Sequence, residues 1–527
     1  MMASEKVESH SLMDSTSASA ERSEDPVTGV AEIVGDFGRW QKIVFAFFFV
    51  CGIFSAWNGL ALSFFAPEIE HWCDEGNEGV MVVRPANESC LRLNGSECDR
   101  WKYDESMYKG SVVQEWDLVC GRSWLVSMSK SCYQLGTLFA VMLAQLADRA
   151  GRFPIVFGGI IVEVLAGFMS ALSVNVYMYL GSRFLLAMGN AARWGSGFVI
   201  VLEIVGSKHR GDVGIGIEFG WAIGYAVLPL IAYFIRDFRR LQLVLTIPEI
   251  VFIFLCWKFV PESPRWQLSS GRLTAAAKSI SHAARVNGRD ADIDTKLKQL
   301  TAKFKSEEDS SKVKATVFDL WRHESLRKKT ALLYLTWAVT AFVYYGLSFN
   351  TNSLQGDPYI NFFLSGIVEI PAYVLTLYAL RTRGGRKGSL VAAMTGAGLS
   401  FLLIIPFSFS DGFLWVKAAF PMIGKFFVTC TFAIIYLYSS EVYPTVVRTV
   451  GLGSSSMVGR IGSVIAPFVR ELGVATHPTF ALAIFGVLSI VNAILLLKFG
   501  EETDGRDIPD TLDQVEQGKG KQAAADI

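Results

Sequence analysis

The chain has 527 residues, of which 51% are hydrophobic and 13% aromatic, and only 19% are charged. That balance excludes an ordinary soluble enzyme and indicates a protein that lives in lipid. Lys plus Arg and Asp plus Glu both number 49, so there is no global basic field, and nucleic acid is excluded as a partner.

Residues 1–41 read as an N-terminal tail on the cytoplasmic side, Ser-rich and acidic to about Val34, with neither the basic nor the apolar region of a cleaved signal peptide. Apolar runs of about 20 residues, each long enough to cross a ~30 Å hydrocarbon core, then recur along the chain. They lie near Lys42–Ala66, Trp124–Ala147, Pro154–Ser173, Tyr177–Val205, Val213–Ile235, Leu241–Val260, Thr330–Phe349, Tyr359–Leu380, Gly388–Phe407, Phe413–Ser439, Thr449–Val469 and Pro478–Phe499. The expected fold is therefore an all-α membrane protein of about twelve transmembrane helices, with a first half over 42–260 and a second over 330–499.

Between the first two runs, residues 67–122 form a polar insertion with four of the eight cysteines (Cys73, Cys90, Cys98, Cys120) and N-x-S/T sequons at Asn87 and Asn94. It reads as an extracellular, glycosylated, disulfide-bearing loop whose pairing is one of 3 connectivities. Cys51, Cys132, Cys256 and Cys430 fall inside spans and read as small buried hydrophobes.

Residues 261–329 mix charge with periodic apolar positions such as Leu273, Ala277, Ile280 and Ala284, which predicts short amphipathic helices beneath the membrane; residues 500–527 form a C-terminal tail. Basic residues cluster at alternate span ends, around Arg149 and Arg152, Lys208 and Arg210, the 261–329 linker, Arg381 to Lys387, and Arg448. That side is the expected cytoplasmic face and carries both termini; the one dissenting connection is Arg236–Arg240.

The two halves echo each other. RAGRF follows the second span and RGGRK the eighth, Glu203 closes the fourth and Glu441 the tenth, and PESPRW follows the sixth where GEETDGR follows the twelfth. An offset of roughly 235 to 240 residues in each case indicates duplication of a six-helix unit, as in carriers built from two pseudo-symmetric halves.

The segments LADRAGRF (Leu146–Phe153), PESPRW (Pro261–Trp266), FFLSGIVEIPAYV (Phe362–Val374) and SSEVYPTVVRTVG (Ser439–Gly451) make the chain similar to the major facilitator superfamily, and within it to the solute carrier 22 family of organic ion transporters. Tyr225–Arg239 and Gly424–Gly451 look most like its organic cation and carnitine branch. The resemblance implies an alternating-access carrier in the plasma membrane, with a small organic ion as partner and no cofactor, driven by sodium as a coupling ion, by the membrane potential alone or by exchange; a single chain is the expected working unit. Three positions depart from the family pattern: Ala144 and Phe153 in the first motif and Thr382 in its second copy. A charge lock between the halves is therefore expected to be stronger on the Asp148 side.

A charge at mid-bilayer costs about 2.5 to 3.5 kcal/mol on insertion scales, so each survivor faces protein or water. Arg460 shares a stripe with Gly453, Ser456 and Ser463; it either projects into a cavity, where its fork suits a carboxylate, or pairs with a glutamate of a neighbouring helix. Family members selective for simple cations tend to carry an acid at this position, so the resemblance implies cargo with a negative group. Glu369 precedes Pro371 and matches a family position near the substrate, where it either holds an ammonium or is a buried glutamate.

Glu218, Trp221 and Tyr225 fall on one face at i, i+3 and i+7, beside a glycine row at Gly216, Gly220 and Gly224 that favours close helix packing. Trp194, Trp337, Tyr344, Tyr345 and Tyr436 are candidates to complete an aromatic cage for a quaternary ammonium. Lys425 heads a stripe with Thr429, Phe432 and Tyr436; Arg193 either lines the cavity or pairs with Glu163; Asn58 is a neutral polar contact.

At the cytoplasmic face, Asp148, Arg149, Arg152 and Glu203, the pair Glu262 and Arg265, and the mirror set Arg383, Arg386, Glu441 and Arg448 resemble the superfamily's gating network, a bistable element. The reading is a carrier of ammonium compounds or zwitterions. The rivals are an organic anion carrier that uses Arg460, Lys425 and Arg193 together, and a ligand-sensing receptor that does not transport. All six histidines lie in tails, loops or span ends, so neither an intramembrane metal site nor an enzyme is expected.

Overall fold

The computed structural model describes residues 30–74, 90–92, 96–289, 295–302, 316–351, 354, 356–380, 385–408, 412, 414–444, 446–476 and 478–504. Each apolar run becomes a long helix: α1 Arg39–Leu60, continued by Leu62–Phe65, α2 Trp124–Ala150, α3 Arg152–Ala171, α4 Val176–Ile204, α5 Arg210–Phe234, α6 Phe238–Phe259, α7 Glu324–Phe349, α8 Pro358–Ala379, α9 Arg386–Leu403, α10 Leu414–Val442, α11 Arg448–Ile465 and α12 Pro478–Phe499. Lipid offers no partner for a free amide or carbonyl, so a spanning segment closes its hydrogen bonds within itself as a helix. The larger discrepancy with the predicted spans is at α7, which starts at Glu324 because a polar turn precedes the apolar run.

Among the described residues, ten of the helices are long and apolar enough to cross a membrane. The other two, α2 and α11, are the polar ones. They carry Ser127, Ser129, Lys130, Ser131 and Gln134 on one and Ser455, Arg460 and Ser463 on the other, and they pack against each other between the halves. Their polarity follows from their position, since neither presents a full face to lipid.

Three helices that begin at the insertion-bearing face open on a side-chain cap. Asn175 accepts from the Met178 amide at 2.8 Å, Asp237 from Arg240 at 2.8 Å, and Asp357, followed by Pro358, from Tyr359 at 2.8 Å.

In the insertion, β1 (His71–Cys73) pairs antiparallel with β2 (Trp101–Tyr103), and the disulfides are Cys73–Cys98 and Cys90–Cys120. The sequons at Asn87 and Asn94 lie outside the described residues. Tyr108, Val112 and Leu118 join Phe65 and Phe238 in one apolar cluster, which seats the insertion on the first half. The dissenting basic loop now has a cause. Arg236 donates to the Ser106 carbonyl at 2.8 Å, and Arg239 pairs with Glu115 at 2.8 Å, so these charges fasten the insertion rather than report topology.

At the opposite face the linker supplies the helices Pro264–Ser269, Leu273–Val286, 295–302 and Val317–Arg322. The apolar stripe of Leu273–Val286 (Ala276, Ile280, Ala283) is buried against Ile33, Val34 and the first half, so it docks on protein. Asn287 locks the arrangement, accepting from the Trp40 amide and donating to the Val34 carbonyl, both at 2.8 Å.

The halves meet on the insertion side of the midplane. Ser127 donates to Glu471 at 2.6 Å, Ser131 to the Val464 carbonyl at 2.7 Å, Lys130 to the Phe349 carbonyl at 3.0 Å, and Arg470 pairs with Glu68. Phe64 stacks on Tyr359 at 5.5 Å and meets Phe362 at 4.8 Å. At the face bearing the linker, the ion pairs among the described residues each stay within one half. The molecule is therefore closed on the insertion side, with its halves held together there.

Candidate functional site

The site lies where α5 of the first half meets α7, α8, α10 and α11 of the second. Gly220 and Gly224 allow α5 to approach α1, since a Cβ on either would sit 2.2 Å from the Phe49 carbonyl or 2.6 Å from that of Ile53. The opposite face of α5 then presents Glu218, Trp221 and Tyr225 to the second half.

Across from it, Glu369 on α8 and Lys425 on α10 form an ion pair of 2.9 Å, with both side chains 0% exposed. Tyr344 on α7 donates to Glu369 Oε1 at 2.6 Å and itself accepts from Trp221 Nε1 at 3.0 Å. Lys425 also donates to Ser348 Oγ at 2.6 Å, and its Nζ sits 3.5 Å from the Tyr344 ring centroid and 5.1 Å from that of Tyr225. Tyr225 is hydrogen-bonded to Ser365 at 2.9 Å. Removing two ions from water costs several kcal/mol each, and here the pair, the phenol, the hydroxyl and the rings offset it together.

Arg460 is in a different situation. Its single hydrogen bond among the described residues comes from Nη1 to the Tyr345 hydroxyl, at 3.1 Å, and it is partly accessible inside the bundle. Glu218 is also partly accessible, makes no hydrogen bond or ion pair among the described residues, and lies within electrostatic reach of both Arg460 and Glu369. Tyr436 is 38% accessible although it sits among interior helices, and it meets Trp337 edge-on at 4.5 Å. These three side chains line the space between the halves. Trp337 itself is buried and donates to Ser439 at 2.9 Å, while Tyr345 packs edge-on against Tyr344 at 5.2 Å.

Three of the expected site residues turn away from this space. Arg193 is bound to Glu163 through two donors, at 2.8 and 3.0 Å, and reaches the Cys51 carbonyl at 3.0 Å. Asn58 donates to Glu163 at 3.0 Å and to Glu249 at 2.6 Å. Trp194 packs in the apolar cluster of the first half that faces the linker. Of the two alternatives the sequence leaves for Arg193, the partnership with Glu163 is the one the geometry adopts. Lys425, one of the three cations of the anion-carrier reading, is paired with Glu369.

Sequence reasoning misses Arg183, which bonds Gln242 at 3.1 Å and the Asn58 carbonyl at 2.5 Å, and the buried Lys130. Both are cations inside apolar runs, the same signal that marks Arg460. Ser348 and Ser365 are missed for want of any signal, because a lone serine in a helix is common.

At the linker face the duplication appears as geometry. Arg152 pairs with Asp148 at 3.0 Å and Glu203 at 3.3 Å, and Arg386 pairs with Glu441 at 3.2 Å and Asp504 at 3.1 Å. Glu262 accepts from the Arg152 and Phe153 amides that open α3, and Glu502 from the Arg386 and Lys387 amides that open α9. Both carboxylates sit over a glycine of positive φ, Gly151 at 114° and Gly385 at 68°, where a Cβ would come within 2.2 and 2.3 Å of the carboxylate. Burial opposes the charge on Glu502, yet the amides of Asp504, Arg386, Lys387 and Gly388 outweigh it and hold the carboxyl below its ordinary range.

One expectation is corrected here. Glu262 caps α3 instead of pairing with Arg265: its carboxylate is taken by the Arg152 and Phe153 amides, and Arg265, three positions on, is exposed. Among the described residues the gating charges stand in this state in two clusters, one in each half: Arg152 with Asp148 and Glu203, and Arg386 with Glu441 and Asp504. Arg149 is exposed, Arg448 opens α11 at this face, and Arg383 lies outside the described residues.

A family model described as "Sugar (and other) transporter" matches residues 44–511. The organic cation transporter protein of Drosophila melanogaster is 36% identical over 516 residues, covering 92% of this chain and 93% of the relative. Organic cation/carnitine transporter 2 of Rattus norvegicus is 33% identical over 538 residues, covering 93% and 94%. The chain belongs to the solute carrier 22 family. Its fold is that of the major facilitator superfamily: the xylose transporter XylE from E. coli, in a partially occluded inward-open conformation, superposes with a TM-score of 0.64 at 14% identity, covering 89% of this chain and 99% of XylE. As a solute carrier 22 member it is a multi-pass membrane transporter and not an enzyme.

Proposed function

We propose that this solute carrier 22 protein moves small organic ions that carry an ammonium and, in the preferred cargo, a carboxylate: carnitine-like or amino-acid-derived zwitterions. The observation that supports this most is the pair Glu218 and Arg460, opposite charges that share the space between the halves with no ion partner among the described residues. One suits an ammonium and the other a carboxylate. The similarity to a rat protein named for organic cations and carnitine, a trimethylammonium carboxylate, points the same way.

The anion-carrier reading loses two of its three cations, since Arg193 is neutralised by Glu163 and Lys425 by Glu369. The insertion-bearing face is the extracellular one in this proposal, both termini are cytoplasmic, and the membrane is the plasma membrane. One chain holds the whole site and works as a monomer. Sodium is the coupling ion we propose, on family resemblance alone, and replacing it in the uptake buffer tests that.

The deciding experiment is uptake in expressing cells of matched cation, anion and zwitterion probes, with wild type and Arg460→Asp. Loss of a charge-assisted bond of about 1.5 to 3 kcal/mol predicts a roughly 10- to 100-fold fall in zwitterion uptake with a shift toward simple cations. Unchanged selectivity, or an anion without ammonium as the best wild-type substrate, sinks the reading.

A further inference from the structure

We propose that Lys425 is a tethered stand-in for the substrate's ammonium, which fills the tyrosine cage and neutralises Glu369 while the carrier is empty and is displaced when cargo binds. This rests on the reading that the cavity takes an ammonium compound. Every feature expected of an ammonium site is present around Lys425 Nζ: a carboxylate oxygen at 2.9 Å, a hydroxyl at 2.6 Å, and two tyrosine rings with centroids at 3.5 and 5.1 Å. The occupant is the chain's own side chain, a compact charge on a flexible four-carbon stem, which is why lysine suits the role better than a planar guanidinium.

The cage has unused capacity. Glu369 Oε2 is fully buried without a hydrogen-bond partner, and so is the hydroxyl of Thr429, one turn beyond Lys425. An arriving quaternary ammonium has no N–H to donate and is drawn by charge, that of Glu369 with Glu218 in electrostatic reach, yet two cations cannot share this carboxylate in so small a space, so entry expels Lys425.

The cage is also built from both halves. Trp221 and Tyr225 come from α5, and Trp221 reaches Glu369 through the Tyr344 hydroxyl. A filled cage therefore accompanies closure of the insertion side. By supplying a cation of its own, the empty carrier switches faces without a bare buried carboxylate. The substrate thus competes with an internal ligand at every entry, and the internal ligand resets the carrier after release.

The test uses the full-length protein in proteoliposomes, with choline as a bare quaternary ammonium and glycine betaine as its carboxylate-bearing analogue. Lys425→Gln should tighten choline binding at least 10-fold. It should also slow net uptake relative to exchange, because the empty carrier loses its resetting cation. Glu369→Gln alone should weaken choline binding at least 10-fold, and the double variant Glu369→Gln with Lys425→Gln should bind choline more tightly than Glu369→Gln alone. That comparison holds even where Lys425→Gln fails to fold, since the double variant buries no unpaired charge.

If wild type carries choline or betaine but the double variant binds no more tightly than Glu369→Gln, or Lys425→Gln leaves affinity and the exchange-to-uptake ratio unchanged, the stand-in role is wrong and the functional reading survives. If wild type neither binds nor carries either compound, both fall together.

Discussion

Glu218 and Arg460 show what a single charge decides. A guanidinium in an apolar run is conspicuous in the sequence, and the structure gives Arg460 a phenol at 3.1 Å in place of a carboxylate. Glu218 is its complement on the other half. Replacing it by Gln removes one charged contact to an ammonium, worth about 1.5 to 3 kcal/mol, so uptake of a simple cation should fall roughly 10- to 100-fold. Inhibition by a carboxylate that lacks ammonium should not change, because its contact is Arg460; parallel concentration series in the uptake assay check both. What periodicity leaves open at this scale is partnership. It places Lys425 on an inward stripe, yet Glu369 is 56 positions away in the chain and meets it only because α8 and α10 are neighbours.

At the scale of helices, the first half is held by a buried ion cluster from four of them: Asn58 on α1, Glu163 on α3, Asn190 and Arg193 on α4, and Glu249 on α6. Arg193 and Glu163 are 2% and 1% exposed, so removing one leaves the other as an uncompensated charge. Arg193→Ala should destabilise the protein by about 3 to 5 kcal/mol, and adding Glu163→Gln, which removes the charge but keeps an acceptor for Asn58 and Asn190, should restore part of the loss. Thermal unfolding in detergent reads both, and a single variant as stable as wild type would refute the structural assignment. The helices themselves are legible from local composition, since an apolar run of the right length has one way to satisfy its backbone in lipid. The caps that Glu262 and Glu502 place over α3 and α9 are less so: the sequence sets PESPRW and GEETDGR at matching positions of the two halves, but that a glutamate of each caps a helix start shows only once the helices are packed.

For the molecule as a whole, the contacts of Ser127, Lys130 and Ser131 on α2 with the second half, and of Glu68 with Arg470, favour closure of the insertion side. The Glu68–Arg470 pair is partly exposed and contributes about 1 kcal/mol at most. Arg470→Ala should therefore raise the open fraction up to roughly 5-fold. Labelling of Cys132, a half-buried thiol on α2, by a membrane-impermeant maleimide measures it; an unchanged rate would remove the pair from the closing contacts. Twelve helices, a duplicated plan and the family follow from hydropathy and short motifs, because each of these is written in contiguous residues. The disulfide pairing, the choice of Glu163 for Arg193, the capture of Lys425 by Glu369 and the side on which the halves close depend on which helices end up adjacent. Such choices arise between residues remote in the chain, where each candidate has several chemically equivalent partners and only packing selects one.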